Sequence, residues 1–296
     1  MSARESLHDS LAAALAWQIE LGADEAILDA PQDRFATAQG AAGASQAPAA
    51  LPAAPPSTSN RRAEARPPEQ SKAGARPAPS ASAPIDGADA EADATAIAAT
   101  ANTLEELAEV MRRFEGSDLR LGAKNLVFSD GTPGARVMVI GEAPGAEEDR
   151  VGRPFVGRAG QLLDRMLGAI GLARTAPDPG EAAYITNVLP WRPPGNRTPS
   201  SAEAALFMPF LMRHIELAAP DFILALGNTP VQALLATTTG ITRMRGRWRR
   251  HEASGCLVLP SFHPAYLLRS PERKREAWRD LLALRAALDG APVAPE

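Results

Sequence analysis

Arg136-Val137-Met138-Val139-Ile140-Gly141-Glu142, running on into Ala143-Pro144-Gly145, is the stretch on which the fold turns. An unbroken apolar run of strand length, closed by glycine and proline, reads as a strand buried on both faces and then ended abruptly. Burial on two faces requires helices above and below, as parallel sheets have. Three further runs have the same character: Ala183–Leu189, Phe222–Gly227 and Cys256–Phe262. Helical patterns fall between and after them. Gly160–Ile170 sets Leu162, Leu163, Met166, Leu167 and Ile170 at helical spacing and stops at Gly171. A second pattern starts near Ser200 and carries Leu206, Phe210 and Ile215, and a third runs from Pro230 past Leu234 and Leu235. A fourth starts at Pro271 and holds Trp278, Leu281 and Leu282. Thr198-Pro199, Thr229-Pro230 and Ser270-Pro271 are cap-then-proline helix starts. Alternation at crossover length predicts an α/β protein, a three-layer α/β/α sandwich with a central four-stranded parallel sheet.

Upstream, Thr103 and Glu106 form a capping box ahead of Leu104, Leu107, Val110, Met111 and Phe114, so a helix leads into this domain, expected over residues 100–290. Residues 1–30 hold six acidic residues and one basic, with Leu7, Leu11, Leu15 and Ile19 at helical spacing. Residues 1–35 therefore read as an amphipathic helical segment, suited to a protein partner. From Ala36 to Ile85, 35 of 50 residues are Ala, Pro, Ser or Gly, and Leu51 and Ile85 are the large aliphatics there. Such a composition buries too little apolar surface to offset its ordering entropy, so residues 36–99 are expected to be a disordered linker.

The chain has 296 residues and a single cysteine, Cys256. One cysteine rules out an internal disulfide, a four-thiolate zinc site and a four-cysteine iron–sulfur cluster. No run of 18 apolar residues occurs, and the acidic N-terminus is unlike a signal peptide. The expectation is a cytoplasmic monomer without a membrane partner. A net charge of −4 argues against nucleic acid as an average, but nine basic residues lie between Arg243 and Arg275 against Glu252 and Glu272. A local basic patch is what phosphate neutralisation needs.

Ligands of open parallel sheets bind beyond the carboxyl ends of the strands. Here those ends carry Gly141-Glu142-Ala143-Pro144-Gly145 with Glu147, Glu148 and Asp149 after it, then Gly152–Gly160 with Phe155 between glycines. The second strand ends in Asn187, followed by Trp191–Pro199; the third ends in Gly227-Asn228; the fourth ends in Ser261-Phe262-His263-Pro264. An aromatic ring, a carboxamide, carboxylates and an imidazole thus converge on one rim. Glu147 and Asp149 are expected to be solvated, and His8, His214 and His251 to be structural or on the surface.

These three blocks, Gly141–Gly160, Ile185–Pro199 and Ser261–Pro271, resemble the uracil-DNA glycosylase superfamily, most closely its family-4 type. The resemblance implies an enzyme, nucleoid-associated when acting on DNA, that flips uracil out of single- or double-stranded DNA and hydrolyses its N-glycosidic bond, leaving an abasic site for base excision repair. It implies Gly141, Ala143, Phe155 and Asn187 as substrate-binding residues, with Phe155 stacking on the base and Asn187 reading the O4/N3–H edge. His263 would donate to uracil O2 as the bond breaks. Arg158, Arg197, Leu267, Leu268 and Arg269 would grip DNA, the last three as the superfamily's insertion loop.

Two departures from the pattern stand out. Ala143 occupies the position where many members carry a water-activating aspartate, which leaves Glu142 and Glu148 as candidate catalytic carboxylates, Glu148 favoured. Glu148 also matches a family-4 glutamate thought to fill the space that excludes thymine's methyl group. Family-4 enzymes further carry four cysteine ligands for a [4Fe–4S] cluster, and the matching positions here are Phe114, Ser117, Trp191 and Phe207. No metal or organic cofactor is expected; the four side chains should instead pack as a hydrophobic plug. The alternatives are a base-trapping DNA-binding module and a nucleotide-binding protein. The Pro193–Thr198 loop lacks the histidine-bearing insertion of the first, and the glycine loop lacks the Lys-Ser/Thr pair of the second.

Overall fold

The computed structural model describes residues 87–296, so the expectations for residues 1–35 and for 36–86 lie outside the described residues. The described part begins with helix α1 (Gly87–Ala99), α2 (Leu104–Arg113) and the single turn α3 (Leu119–Gly122). Residues 87–99, expected to belong to a disordered linker, instead form α1, which buries Ala94 and Ala98 against the core. Alanine has the highest helix propensity, and its small side chain lets helices approach closely, so an Ala-rich stretch with Ile97 as its one large aliphatic still packs. Thr103 caps α2 as its sequence indicates, its side chain accepting from the Glu106 N–H while Glu106 returns a bond to the Asn102 N–H.

Next come β1 (Asp130–Gly131), β2 (Val137–Gly141), α4 (Ala146–Val151), α5 (Arg158–Gly168) and β3 (Ala183–Asn187). They are followed by α6 (Ser201–Ala218), β4 (Phe222–Leu226), α7 (Asn228–Leu235), α8 (Ile241–Met244), β5 (Arg249–Arg250), β6 (Leu257–Ser261), α9 (Pro264–Arg269) and α10 (Lys274–Leu288). The sheet runs β1-β3-β2-β4-β6-β5. Its four central strands are parallel, as expected, and the two-residue edge strands β1 and β5 pair antiparallel. The sheet is thus six-stranded and mixed rather than four-stranded; strands of two residues leave no periodic trace in a sequence.

Strand residues alternate between two cores, because successive side chains leave a strand on opposite faces. Met138, Ile140, Tyr184, Ile223 and Ala225 join α1, α2 and α6 on one side. Val137, Val139, Ile185, Leu224 and Leu259 join α5, α9 and α10 on the other. Parallel pairing sets Gly141 opposite Asn187 and Leu226 opposite Ser261. The residues that follow the four central strands consequently share one rim.

Candidate active site

A cavity of about 750 Å³ opens at that rim, and Glu142, Ala143, Glu148, Phe155, Asn187 and His263 all line it. Its other walls include Arg197, Thr198, Asn228, Tyr266 and Arg269. The expected convergence of ring, carboxamide and imidazole is therefore present.

Gly141 makes it possible. A Cβ at this position would lie 2.4 Å from Asn187 Oδ1 and 2.5 Å from the Phe155 ring, so only a bare backbone lets both groups sit at the end of β2. Asn187 is 6% exposed, and its carboxamide has no hydrogen-bond partner among the described residues. Its polar atoms open onto the cavity, where a ligand can take up their hydrogen bonds. Phe155 is 5% exposed, adopts a left-handed backbone (φ 53°) and lies 5.4 Å from the His263 ring, centroid to centroid.

His263 caps α9. Its Nδ1 accepts the Ala265 N–H at 3.1 Å, which leaves the ring proton on Nε2. Burial, with a smaller contribution from the positive charge of Arg269, pushes its pKa down to about 4. The imidazole is thus neutral near pH 7, with Nε2–H as its one donor.

The two carboxylates differ in what they do. Glu148 accepts three backbone N–H groups: Gly145 at 3.1 Å, Val156 at 3.0 Å and Gly157 at 2.9 Å. It therefore ties the Gly141–Gly145 loop to the Phe155 loop. A side chain on Gly145 would meet Glu148 Oε2 at 2.8 Å, so the carboxylate occupies that space. Glu142 instead accepts one bond, from Thr229 Oγ1 at 2.6 Å, through Oε2. Asp149, expected to be solvated, is buried and accepts the N–H groups of Lys124 and Asn125, pinning α4. Glu147 is exposed, paired with Arg150.

The expected DNA-gripping residues divide. Arg158 and Arg269 are exposed, the former opening α5 and the latter at the cavity mouth. Arg197 is engaged in a two-pronged pair with Glu203, which in turn caps α6 through the Ser200 N–H. Leu267 corrects the reading of residues 267–269 as an inserting loop: it is 1% exposed, turned into the core by α9, and Leu268 packs against the same core. His263 as cap and Pro264 in the first turn start a helix there, and its inward face claims Leu267. The basic stretch is also partly spent inside the protein. Arg245 binds the buried Asp280, Arg247 and Arg249 meet Glu296, and Arg273 meets Glu276. His214 is fully enclosed, stacked on Phe128 and hydrogen bonded to Tyr184 Oη, and burial pushes its pKa down to about 3.

Phe114, Trp191 and Phe207 belong to one buried cluster, with Phe114 6.2 Å from Phe207 and 5.0 Å from Phe210 between ring centroids. The Phe114 ring folds over Gly116, where a Cβ would be 2.4 Å from its tip. Ser117 lies beside it, its hydroxyl accepting from the Leu119 N–H. No group of three or more potential metal-binding side chains occurs among the described residues. These residues offer no thiolate and do not fit an iron–sulfur cluster.

A three-layer sandwich with an aromatic ring, a carboxamide and a neutral imidazole around a cavity at its strand ends is an arrangement suited to holding a nucleobase, the class of site that DNA glycosylases have. Residues 128–282 match the uracil DNA glycosylase superfamily, and the chain belongs to it. It is 40% identical over 189 residues to the type-4 uracil-DNA glycosylase of Thermotoga maritima, covering 60% of this chain and 93% of that protein. It is 36% identical over 184 residues to that of Pyrobaculum aerophilum, covering 60% of this chain and 91% of that protein. With that of Saccharolobus solfataricus the identity is 35% over 199 residues, covering 65% and 89%.

Proposed function

We propose that this protein removes uracil from DNA by hydrolysing its N-glycosidic bond, and that it does so with the cavity between Phe155, Asn187 and His263. The observation that carries the reading is the Asn187 carboxamide, which lines the cavity beside the Phe155 ring and makes no hydrogen bond to another side chain or backbone group among the described residues. Flipping a base out of the stack costs a few kcal/mol. Stacking on Phe155 returns about 1–3 kcal/mol of this. Asn187 presents a donor for uracil O4 and an acceptor for N3–H; cytosine would set its amino group against the Asn187 amino group, leaving both unpaired.

As the C1′–N1 bond breaks, its electron pair stays with the base and negative charge grows on uracil O2. The neutral His263 donates to that oxygen through Nε2–H, stabilising the leaving anion more than the bound substrate. Water then adds its oxygen to C1′ and gives up one proton, and uracil takes up a proton, which balances the hydrolysis. Glu142 is the better water-orienting carboxylate: one of its oxygens is held by Thr229 and the other accepts no bond from the described residues. Glu148, saturated by three backbone donors, serves as a wall and a loop tie. Its carboxylate fills the space beside Gly145, against which a methyl group on the base would press. Arg158 and Arg269 are the exposed cations placed to meet phosphates.

The packed aromatic cluster of Phe114, Trp191 and Phe207 takes the place of the iron–sulfur ligands, so the enzyme works without that cluster. An oligonucleotide panel carrying a single uracil, hypoxanthine or thymine, in single and double strands, tests the assignment. Alkali-labile sites should appear at uracil and not at thymine; cleavage at none of the three would refute it.

A further inference from the structure

We infer that Arg174 is a positioning residue for excision, holding the Phe155 peptide in the conformation that aims the ring into the base cavity. The inference rests on the reading of Phe155 as the stacking platform. A bulky residue at φ 53° is strained and persists only where its surroundings impose it. Arg174, nineteen residues further on, supplies much of that constraint. Its Nη1 donates to the Pro154 carbonyl at 3.1 Å and its Nη2 to the Phe155 carbonyl at 2.9 Å, so one planar fork spans two consecutive peptides.

The fork is itself fixed. Asp130 of β1 accepts from Nη1 at 2.9 Å and Asp164 of α5 accepts from Nε at 2.8 Å, and the side chain is 11% exposed. From the other side the backbone of Gly160 comes up against the same peptide; a Cβ there would lie 1.8 Å from the Phe155 oxygen. Glu148 meanwhile holds the N–H groups of Val156 and Gly157. Carbonyls 154 and 155 are therefore gripped by Arg174 and the two following N–H groups by Glu148. Release of the carbonyls lets φ relax to negative values, which swings the ring away from Gly141 and His263. Lysine keeps the charge but, as a single point, cannot span both oxygens while meeting both aspartates.

A double-mutant cycle under single-turnover conditions tests this, using the full chain and an oligonucleotide bearing one uracil. R174K is expected to slow excision tenfold or more, with affinity for an undamaged oligonucleotide within twofold of wild type. F155A/R174K is expected to be no slower than F155A alone, because Arg174 acts through Phe155. Wild-type rate in R174K, or losses that multiply in the double variant, would overturn the inference. If F155A itself excises at the wild-type rate, the platform reading fails instead. Should R174K not fold, D130N enters the same cycle: it removes one anchor of the fork, and the expected loss is about threefold, again absent in the F155A background. Multiplying losses there would overturn the inference equally.

Discussion

The backbone N–H of Ala265 points at Nδ1 of His263, 3.1 Å away, and so decides which nitrogen of the catalytic candidate carries a proton. The same bond that caps helix α9 thereby leaves Nε2–H as the ring's free donor. Structural and chemical uses of this histidine are one arrangement.

That arrangement fixes a pH profile. Burial and the charge of Arg269 hold the His263 pKa down at about 4, so the ring is neutral above that value. Single-turnover excision should change less than about twofold between pH 6 and 8 as far as His263 is concerned. It should fall as pH is lowered toward 4, where a second ring proton would confront the Ala265 N–H. Nitrogen-15 shifts of the ring at pH 6 should show Nε2 protonated and Nδ1 bare.

His263→Ala and Asn187→Ala should separate chemistry from recognition. Loss of an oxyanion-type donor costs about 10²–10³ in rate, so His263→Ala should slow cleavage by that much with DNA affinity little changed. Asn187→Ala should lower kcat/KM for uracil by about 10², and its remaining activity should discriminate less between uracil and cytosine. Equal loss of binding and rate in both variants would contradict the assigned roles.

Glu148→Ala should be costly to the fold as well as to activity. Three backbone N–H groups lose their acceptor, for a destabilisation of about 2–4 kcal/mol, or a fall in Tm of roughly 4–16 °C. Glu142→Gln, which leaves an oxygen for Thr229, should reduce excision with little effect on Tm. The reverse pattern in thermal melts and rates would exchange the roles of the two glutamates.

Stability should decline with acid because of His214 as well as His263. Their pKa values, about 3 and about 4, lie below the unfolded value near 6.5. Between those values the unfolded chain binds protons that the folded chain refuses, so stability is lost as pH falls below 6.5. Removing the titration with His214→Phe should reduce the loss between pH 7 and 5 by about 2 kcal/mol, measured by urea denaturation at each pH.

The aromatic plug makes a separate prediction. Phe207→Ala should cost about 3–5 kcal/mol, as for other buried phenylalanines, and protein purified without oxygen in the presence of iron should be colourless. Iron at four atoms per chain, with absorbance near 400 nm, would contradict it.

The rim was legible in the sequence for a physical reason. Short two-faced apolar runs ended by Gly141, Asn187, Gly227 and Phe262-His263, alternating with helical patterns, read as parallel strands, and parallel register brings their ends together. What escaped reading depends on partners distant in sequence. Arg245 finds Asp280 and Arg174 finds Asp130, and neither pair leaves a local pattern. Helix α1 was hidden because alanine gives no apolar periodicity, and Leu267 because its inward turn follows from a cap made by the active-site histidine. The Arg197–Glu203 pair was visible in principle, six residues apart beside a Ser200 capping box. A phosphate-binding role was the competing reading of the same arginine.

Release of free uracil from a single-uracil oligonucleotide, followed under single-turnover conditions for wild type, Asn187→Ala and His263→Ala, tests the pocket most directly. Stoichiometric uracil from the wild type, with losses of about 10² or more in each variant, is the predicted result. No uracil from the wild type, or undiminished release from both variants, would place the chemistry elsewhere.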